Sequence, residues 1–248
     1  MKHKIINLAG VATFVVVGLI GVNAVAATIY DTSTPSTLLN GNAFTNVNGQ
    51  EIGNEVVLAG SWDLSSFAIE YYAPNTLPGT IGIEVNIYQN NGAGTPASGM
   101  FPTPGTLIFG SGFFYGLASG PTGNAVTYTS SDFTAGGFAS PYLLPGDFTF
   151  TVTYTNSDGS GNLYGLESPL ANEPTGQPGT SYGDYWLNNA GSWDLLTNAV
   201  SAANLVVSVD GSAVPEPSVL YFGAFGSVLL FVNRLRKRYP IQGRTSAR

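Results

Sequence analysis

The chain has 248 residues, 44% hydrophobic and only 9% charged, with 32 glycines and no cysteine, which is too apolar and aromatic for a disordered protein and enough for one sizeable core. Between Ile5 and Asn233 there is no lysine, arginine or histidine, whereas 14 of the 15 carboxylates lie between Thr28 and Ala213, the fifteenth being Glu216. A stretch with a formal charge of −14 and no cation excludes nucleic-acid binding, P-loop nucleotide binding, Schiff-base chemistry and histidine-assisted nucleophilic catalysis, and the lack of cysteine and histidine excludes ordinary zinc sites and disulfides.

Residues 1–26 carry the pattern of a secretory signal peptide. Lys2, His3 and Lys4 form a basic start, Leu8 to Val22 is apolar, and Ala24-Val25-Ala26 offers the small-x-small site of signal peptidase. Residues 27–213 then read as β-structure throughout. Phe67, Ile69 and Tyr71 alternate with Ala68 and Glu70, and Ile81, Ile83, Val85 and Ile87 alternate with Gly82, Glu84 and Asn86. Further strands are predicted at Leu107 to Tyr115, Val126 to Thr129 and Tyr185 to Leu187. The clearest is Phe148 to Thr155, in which Phe148, Phe150, Val152 and Tyr154 are expected to face the core and the intervening threonines to face water. Leu205, Val207 and Val209 form a last strand before Asp210-Gly211. Turn signals such as Asn48-Gly49, Asn91-Gly92 and Asp158-Gly159 separate these runs, and no long stretch has helical period. The predicted fold is all-β: an antiparallel β-sandwich of jelly-roll-like arrangement.

Two features of the body bear on binding. The hexapeptide Ala-Gly-Ser-Trp-Asp-Leu occurs at Ala59–Leu64 and again at Ala190–Leu195. It reads as two similar turn-to-strand corners; alternatively Trp62 and Trp193, extended by Trp186, present apolar faces on which sugar rings can stack. Calcium is the one cofactor that suits the composition, since it takes carboxylate and carbonyl oxygens. Asp158 with Asn156 and Asn162, on a glycine-rich loop, is the best local cluster for it, with an ordinary polar turn as the plainer reading.

The C-terminal part, residues 214–239, is tripartite. Val214-Pro215-Glu216-Pro217 is followed by an apolar run from Ser218 to Val232 and then by Arg234, Arg236, Lys237 and Arg238; residues 240–248 form a basic tail. At the helical rise the apolar run spans roughly 22 Å, short of a full bilayer core but able to cross as a transmembrane helix if the flanking cations snorkel, with the basic cluster held on the cytoplasmic side as a stop signal. This segment resembles the PEP-CTERM sorting signal of Gram-negative bacteria. The resemblance implies recognition and processing near the Pro-Glu-Pro triplet by exosortase, a membrane-embedded cysteine transpeptidase, transient residence in the inner membrane, and a final place at the cell surface or in an exopolysaccharide matrix. The body is also similar to a β-rich module that precedes such signals, through Pro104-Gly105-Thr106-Leu107-Ile108 and Asp184-Tyr185-Trp186-Leu187-Asn188-Asn189.

The expected function is that of a non-enzymatic, exported surface or matrix protein associated with exopolysaccharide. Two alternatives are a carbohydrate-binding module and a glycoside hydrolase that works with carboxylates alone.

Overall fold

The computed structural model describes residues 26–33, 38–73, 75–95, 101–120, 125–130, 142–172, 175–197, 204–214 and Arg234. Among the described residues sixteen strands form two antiparallel sheets. They are β1 (Ala27–Asp31), β2 (Leu38–Thr45), β3 (Glu51–Leu58), β4 (Trp62–Tyr72), β5 (Ile81–Gln89), β6 (Leu107–Gly110), β7 (Phe114–Tyr115) and β8 (Ala125–Ser130). There follow β9 (Tyr142–Leu144), β10 (Asp147–Asn156), β11 (Glu167–Ala171), β12 (Gly179–Thr180), β13 (Asp184–Asn189), β14 (Ser192–Thr197), β15 (Asn204–Leu205) and β16 (Val207–Ala213). The first sheet runs β1-β16-β4-β11-β15, with β2 added on β11 and β8 and β9 on β4. The second runs β14-β13-β3-β10-β5-β6, with β12 added on β3 and β7 on β5.

The two sheets pack face to face as a sandwich, because each has one continuous apolar face to remove from water. From the first sheet come Tyr30, Leu64, Phe67, Ile69, Tyr71, Val207 and Val209; from the second come Ile52, Val56, Ile83, Val85, Ile87, Phe148, Phe150, Val152 and Tyr154, all buried in one cluster. Aromatic rings join the layers. Phe150 lies 5.5 Å from Phe67 and 6.4 Å from Tyr30, and Tyr154 lies 6.4 Å from Tyr71. A polar strut crosses the same core. The side chain of Asn54 on β3 donates to Asn204 Oδ1 (3.2 Å) and accepts the Leu205 backbone N–H (2.7 Å), so a second-sheet strand is hydrogen-bonded to β15 of the first. Broken, this strut would leave buried polar groups without partners, which is costly in a dry interior.

One expectation about β10 needs correction. Its apolar residues face the core as alternation predicts, but Thr149, Thr151 and Thr153 are buried too. Ladder partners share a face, so these threonines lie on the opposite side with Glu55, Gly53 and Glu51 of β3 and with Tyr88, Asn86 and Glu84 of β5. Side chains of that polar face and the β13–β14 hairpin cover them.

The repeated hexapeptide makes two similar corners with different uses. Gly60 and Gly191 have nearly the same left-handed backbone, at φ of +92° and +91°. The first corner carries the chain from β3 in the second sheet to β4 in the first. The second is the two-residue turn of the β13–β14 hairpin, where Ala190 at φ +53° and Gly191 together fit the turn type that matches strand twist.

Because Phe150 is fully buried between Tyr30 and Phe67, Phe150→Ala should cost about 3–5 kcal/mol. Urea unfolding should show this as a lower midpoint with an unchanged slope; a loss under 1 kcal/mol would mean that the sheets are not joined through this ring.

Candidate functional site

The outer face of the second sheet is polar and concave. Across β3, β10 and β5 the register places Glu51, Thr153 and Glu84 in one row, Gly53, Thr151 and Asn86 in the next, and Glu55, Thr149 and Tyr88 in a third. Strand β13 adds Asn188 beside Glu51 and Trp186 beside Gly53. Gly53 is required by close approach: a Cβ there would overlap the Phe150 carbonyl oxygen and come within 2.7 Å of Thr151 Cγ2. The hairpin curls over this face until Trp193 meets Tyr88 edge-on, with ring centroids 5.7 Å apart. What remains open is a depression of about 450 Å³. Glu51, Glu84, Asn86, Tyr88, Thr153 and Asn188 line it, and the exposed Gly49, Phe113, Ala190 and Gly191 border it.

Glu51 is the buried centre of this arrangement, and neutral donors alone surround it. The Thr151 hydroxyl and Asn86 Nδ2 (3.3 Å) donate to one carboxylate oxygen and Asn188 Nδ2 donates to the other (3.0 Å), with the Tyr88 hydroxyl nearby. Burial, the Glu51 charge, the hydrogen bond to Glu51 and the Glu84 charge, in that order, raise the Tyr88 hydroxyl far above its ordinary value. Glu84 is half-buried at the wall. Its carboxyl is raised by burial first and by the Glu51 charge second, against a hydrogen bond from Asn86. Row geometry puts the Glu51 and Glu84 backbones two strand spacings apart, about 10 Å.

Further along the same face, the Glu55 carboxyl lies near those of Asp147, within reach of a carboxyl–carboxyl hydrogen bond, and of Asp184. Burial, then the Asp147 charge and that hydrogen bond, then the Asp184 charge push Glu55 up to about 7. The Trp186 indole N–H, which meets no acceptor at full hydrogen-bonding geometry, draws Glu55 weakly the other way. Asp147 accepts from Asn90 Nδ2 (2.6 Å), and Asn90 in turn accepts from the Thr149 hydroxyl (2.7 Å). Among the described residues no group of three or more histidines, cysteines or carboxylates is arranged to hold a metal ion.

No protein-family model matches the chain. No curated protein matches it. Solved structures with some likeness include the T13 viral particle of IBDV, at 10% identity and a TM-score of 0.27 over 86% of this chain and 47% of that one. Another is a T=1 particle derived from infectious bursal virus, at 12% identity and a TM-score of 0.26 over 88% and 48%. The chain spans about half the length of these proteins, and at such scores the likeness carries no argument.

The three tryptophans do not form a common platform. Trp186 is completely buried. Trp62 belongs to the first sheet, half-buried against the core, with its N–H donating to the Ala59 carbonyl at 3.4 Å. Trp193 alone stands by the depression, half-buried on Tyr88. The exposed aromatic surface at the depression is Phe113, 41% exposed on its border, with Tyr115, 50% exposed, packed against it at 6.2 Å between centroids and a tilt of 30°. Its signal in the sequence is the run Phe113-Phe114-Tyr115 at the end of a predicted strand, and that of Glu84 is its place on the polar side of the Ile81–Ile87 alternation. Glu51 had no such signal.

In the loop proposed for calcium, Asn156 Oδ1 accepts the Asp158 backbone N–H (3.1 Å), Asp158 Oδ1 accepts that of Ser160 (2.7 Å), and Asn162 Oδ1 accepts that of Tyr164 (2.8 Å). These are chained turns in which each oxygen is tied to the loop's own backbone. The Ser160 hydroxyl and backbone N–H hold the Asp158 carboxyl below its usual value. Of the segment expected to be a sorting signal, Val214 is described, its N–H donating to the Ser61 carbonyl at 3.0 Å, and Arg234 is exposed. The expected signal peptide, Pro215, Glu216, Pro217, the apolar run, Arg236, Lys237, Arg238 and the tail lie outside the described residues. Among the described residues no helix is long and apolar enough to cross a membrane.

The raised Glu55 gives a pH dependence of definite sign. The folded state holds a proton that the unfolded chain has released above its ordinary carboxyl value of 4.5, so this stabilisation is complete below 4.5 and is lost as pH rises through about 7. Glu70, Glu84 and Asp184 are shifted the same way, each chiefly by burial. The melting temperature should therefore fall between about pH 5 and pH 8, and Glu55→Gln, which keeps a donor to Asp147 without the charge, should flatten the fall. A wild-type profile that is level or rising over this window would show that the Glu55–Asp147 pair does not share a proton.

Proposed function

We propose that the chain is an exported, non-enzymatic surface or matrix protein whose jelly-roll-like sandwich binds polysaccharide in the depression on the outer face of the second sheet. One observation carries the binding part: a concave polar surface of amide, hydroxyl and carboxylate groups is bordered by the exposed Phe113 ring, with the exposed Tyr115 ring packed next to it. Sugars need both elements, an apolar ring face for C–H bonds and converging groups for hydroxyls. Support for export comes from the sequence: a signal-peptide pattern at residues 1–26 and the tripartite segment at residues 214–239.

A hydrolytic reading draws on Glu51 and Glu84, two carboxylates in one depression with unlike surroundings. Its weakness is Glu51, which is buried and accepts from Thr151, Asn86 and Asn188, contacts that make it a weaker nucleophile and base.

Binding is tested by titrating the purified protein with a panel of polysaccharides and comparing Phe113→Ala/Tyr115→Ala with the parent. Both rings are exposed, so the double variant should melt as the parent does while its affinity drops about tenfold, the equivalent of 1.4 kcal/mol. Unchanged affinity would place the sugar elsewhere, and no binding to any member would remove the glycan reading. Export is tested separately, by mass spectrometry of the native protein. Mature material should lack peptides from Tyr239 to Arg244, and replacing Pro215, Glu216 and Pro217 with alanines should leave the tail attached and the protein in the membrane. Intact tail peptides in mature surface material would make the segment a permanent anchor.

A further inference from the structure

The wall of the depression is acidic, and no lysine or arginine in the body offsets it. Its two carboxylates are not equivalent. Glu51 is buried, with donors on both oxygens. Glu84 is half-buried at the wall, in the same ladder row as Glu51, whose carboxyl lies on its inner side. A ligand that lays a neutral hydroxyl against Glu84 leaves the two like charges facing each other. A sugar acid would add a third negative charge to a site that cannot answer it. An ammonium group instead offsets both carboxylates at once and makes a charge-assisted hydrogen bond, stronger than a neutral one. The exposed faces of Phe113 and Tyr115 beside it also attract a cation, while their apolar surface accepts the C–H face of the ring that bears it.

We propose that the depression is selective for amino-sugar units with a free, protonated amine, and that Glu84 is the residue that determines this selectivity by receiving the ammonium group. The inference rests on the glycan-binding reading above and specifies which glycan. It distinguishes a partly or fully de-N-acetylated hexosamine polymer from its N-acetylated form, in which the charge is gone, and from uronic-acid polymers, in which it is reversed. Glu51 lies behind Glu84 and adds to the acidic field there, and Asn86, which donates to Glu51, sits two residues from Glu84 on the same strand.

The test uses the full-length protein in mild detergent, at physiological ionic strength and in slightly acidic buffer, where a sugar amine carries its proton. Four probes are titrated: a glucosamine trimer, an N-acetylglucosamine trimer, a uronic-acid trimer and spermidine. The glucosamine trimer should bind about tenfold more tightly than the N-acetylated one, and the uronic-acid trimer should not bind. Glu84→Gln should bring the glucosamine trimer down to the level of the N-acetylated trimer and leave the latter unchanged. Asp63→Asn, on the first sheet, should keep the full preference. Equal binding of the two hexosamine trimers overturns the amine selectivity and leaves the glycan reading standing; failure of all three sugars removes both. Spermidine binding as tightly as the glucosamine trimer would show a site for amines and not for amino sugars. A preference that survives Glu84→Gln would come from the overall acidic field and remove Glu84 from its role. Melting curves of each variant confirm that it is folded.

Discussion

Every carboxylate in this body has to be accommodated without a cation, and that constraint shapes most of the polar structure. Glu51 takes three neutral donors. Asp210 takes the hydroxyls of Thr28 (2.8 Å) and Ser66 (2.6 Å), Asp31 takes the backbone and hydroxyl of Ser33, and Asp158 takes Ser160. Where donors are too few, the proton itself is retained, as at Glu55 beside Asp147. The wealth of serine, threonine and asparagine is thus an electrostatic necessity as much as a matter of β-propensity. An ion pair would be geometrically demanding and, when buried, of doubtful net benefit; hydroxyls and amides solvate the same charge and do not need a second desolvated ion.

The central strand β10 transmits this to the fold. One of its faces supplies Phe148, Phe150, Val152 and Tyr154 to the apolar core, and the other supplies Thr149, Thr151 and Thr153 to a polar second layer. A threonine serves both needs there, with a β-branched body that suits the strand and a hydroxyl that satisfies Glu51 or Asn90. Replacing these threonines by valine would preserve shape and strand preference while leaving the Glu51 carboxylate one donor short. The core and the depression are therefore two sides of one strand, and the rigidity of the first fixes the geometry of the second.

How much of this could be read from the sequence depends on the kind of signal. Strict period-two alternation revealed β4, β5 and β10, because an apolar face against a core leaves a trace every second residue. The same rule misled at the threonines, since alternation separates two faces but does not say that the second one meets water. The segment Glu51–Leu58 escaped notice altogether. Its order, Glu-Ile-Gly-Asn-Glu-Val-Val-Leu, hides the alternation, for Asn54 points into the core as part of the strut and Gly53 is dictated by backbone approach. Glu51 was illegible for that reason: its partners Asn86, Thr151 and Asn188 are brought to it by three different strands. Trp186 shows the opposite failure. A tryptophan beside tyrosine and asparagines looks like a binding residue, yet pairing with Gly53 gives it a bare stretch of backbone to lie near, and it is buried.

The place of Val214 links the body to the sorting route proposed for it. Strand β16 belongs to the first sheet, and the backbone N–H of Val214, one residue beyond it, is tied to Ser61 in the corner that opens β4. Pro215 is the next residue, and a proline offers no N–H with which to extend the ladder past that point. Strand β16 ends at Ala213, two residues before the Pro-Glu-Pro triplet, on the sheet that does not carry the depression. A body tethered or cleaved there would keep Glu51, Glu84 and the Phe113–Tyr115 lip on the outer face of the other sheet, clear of its attachment. The absence of lysine and arginine from the body would act in the same sense: on the proposed route it would leave the cluster at Arg234, Arg236, Lys237 and Arg238 as the basic stop behind the exported body. The composition that makes the depression acidic would, on this route, also make the stop signal unambiguous.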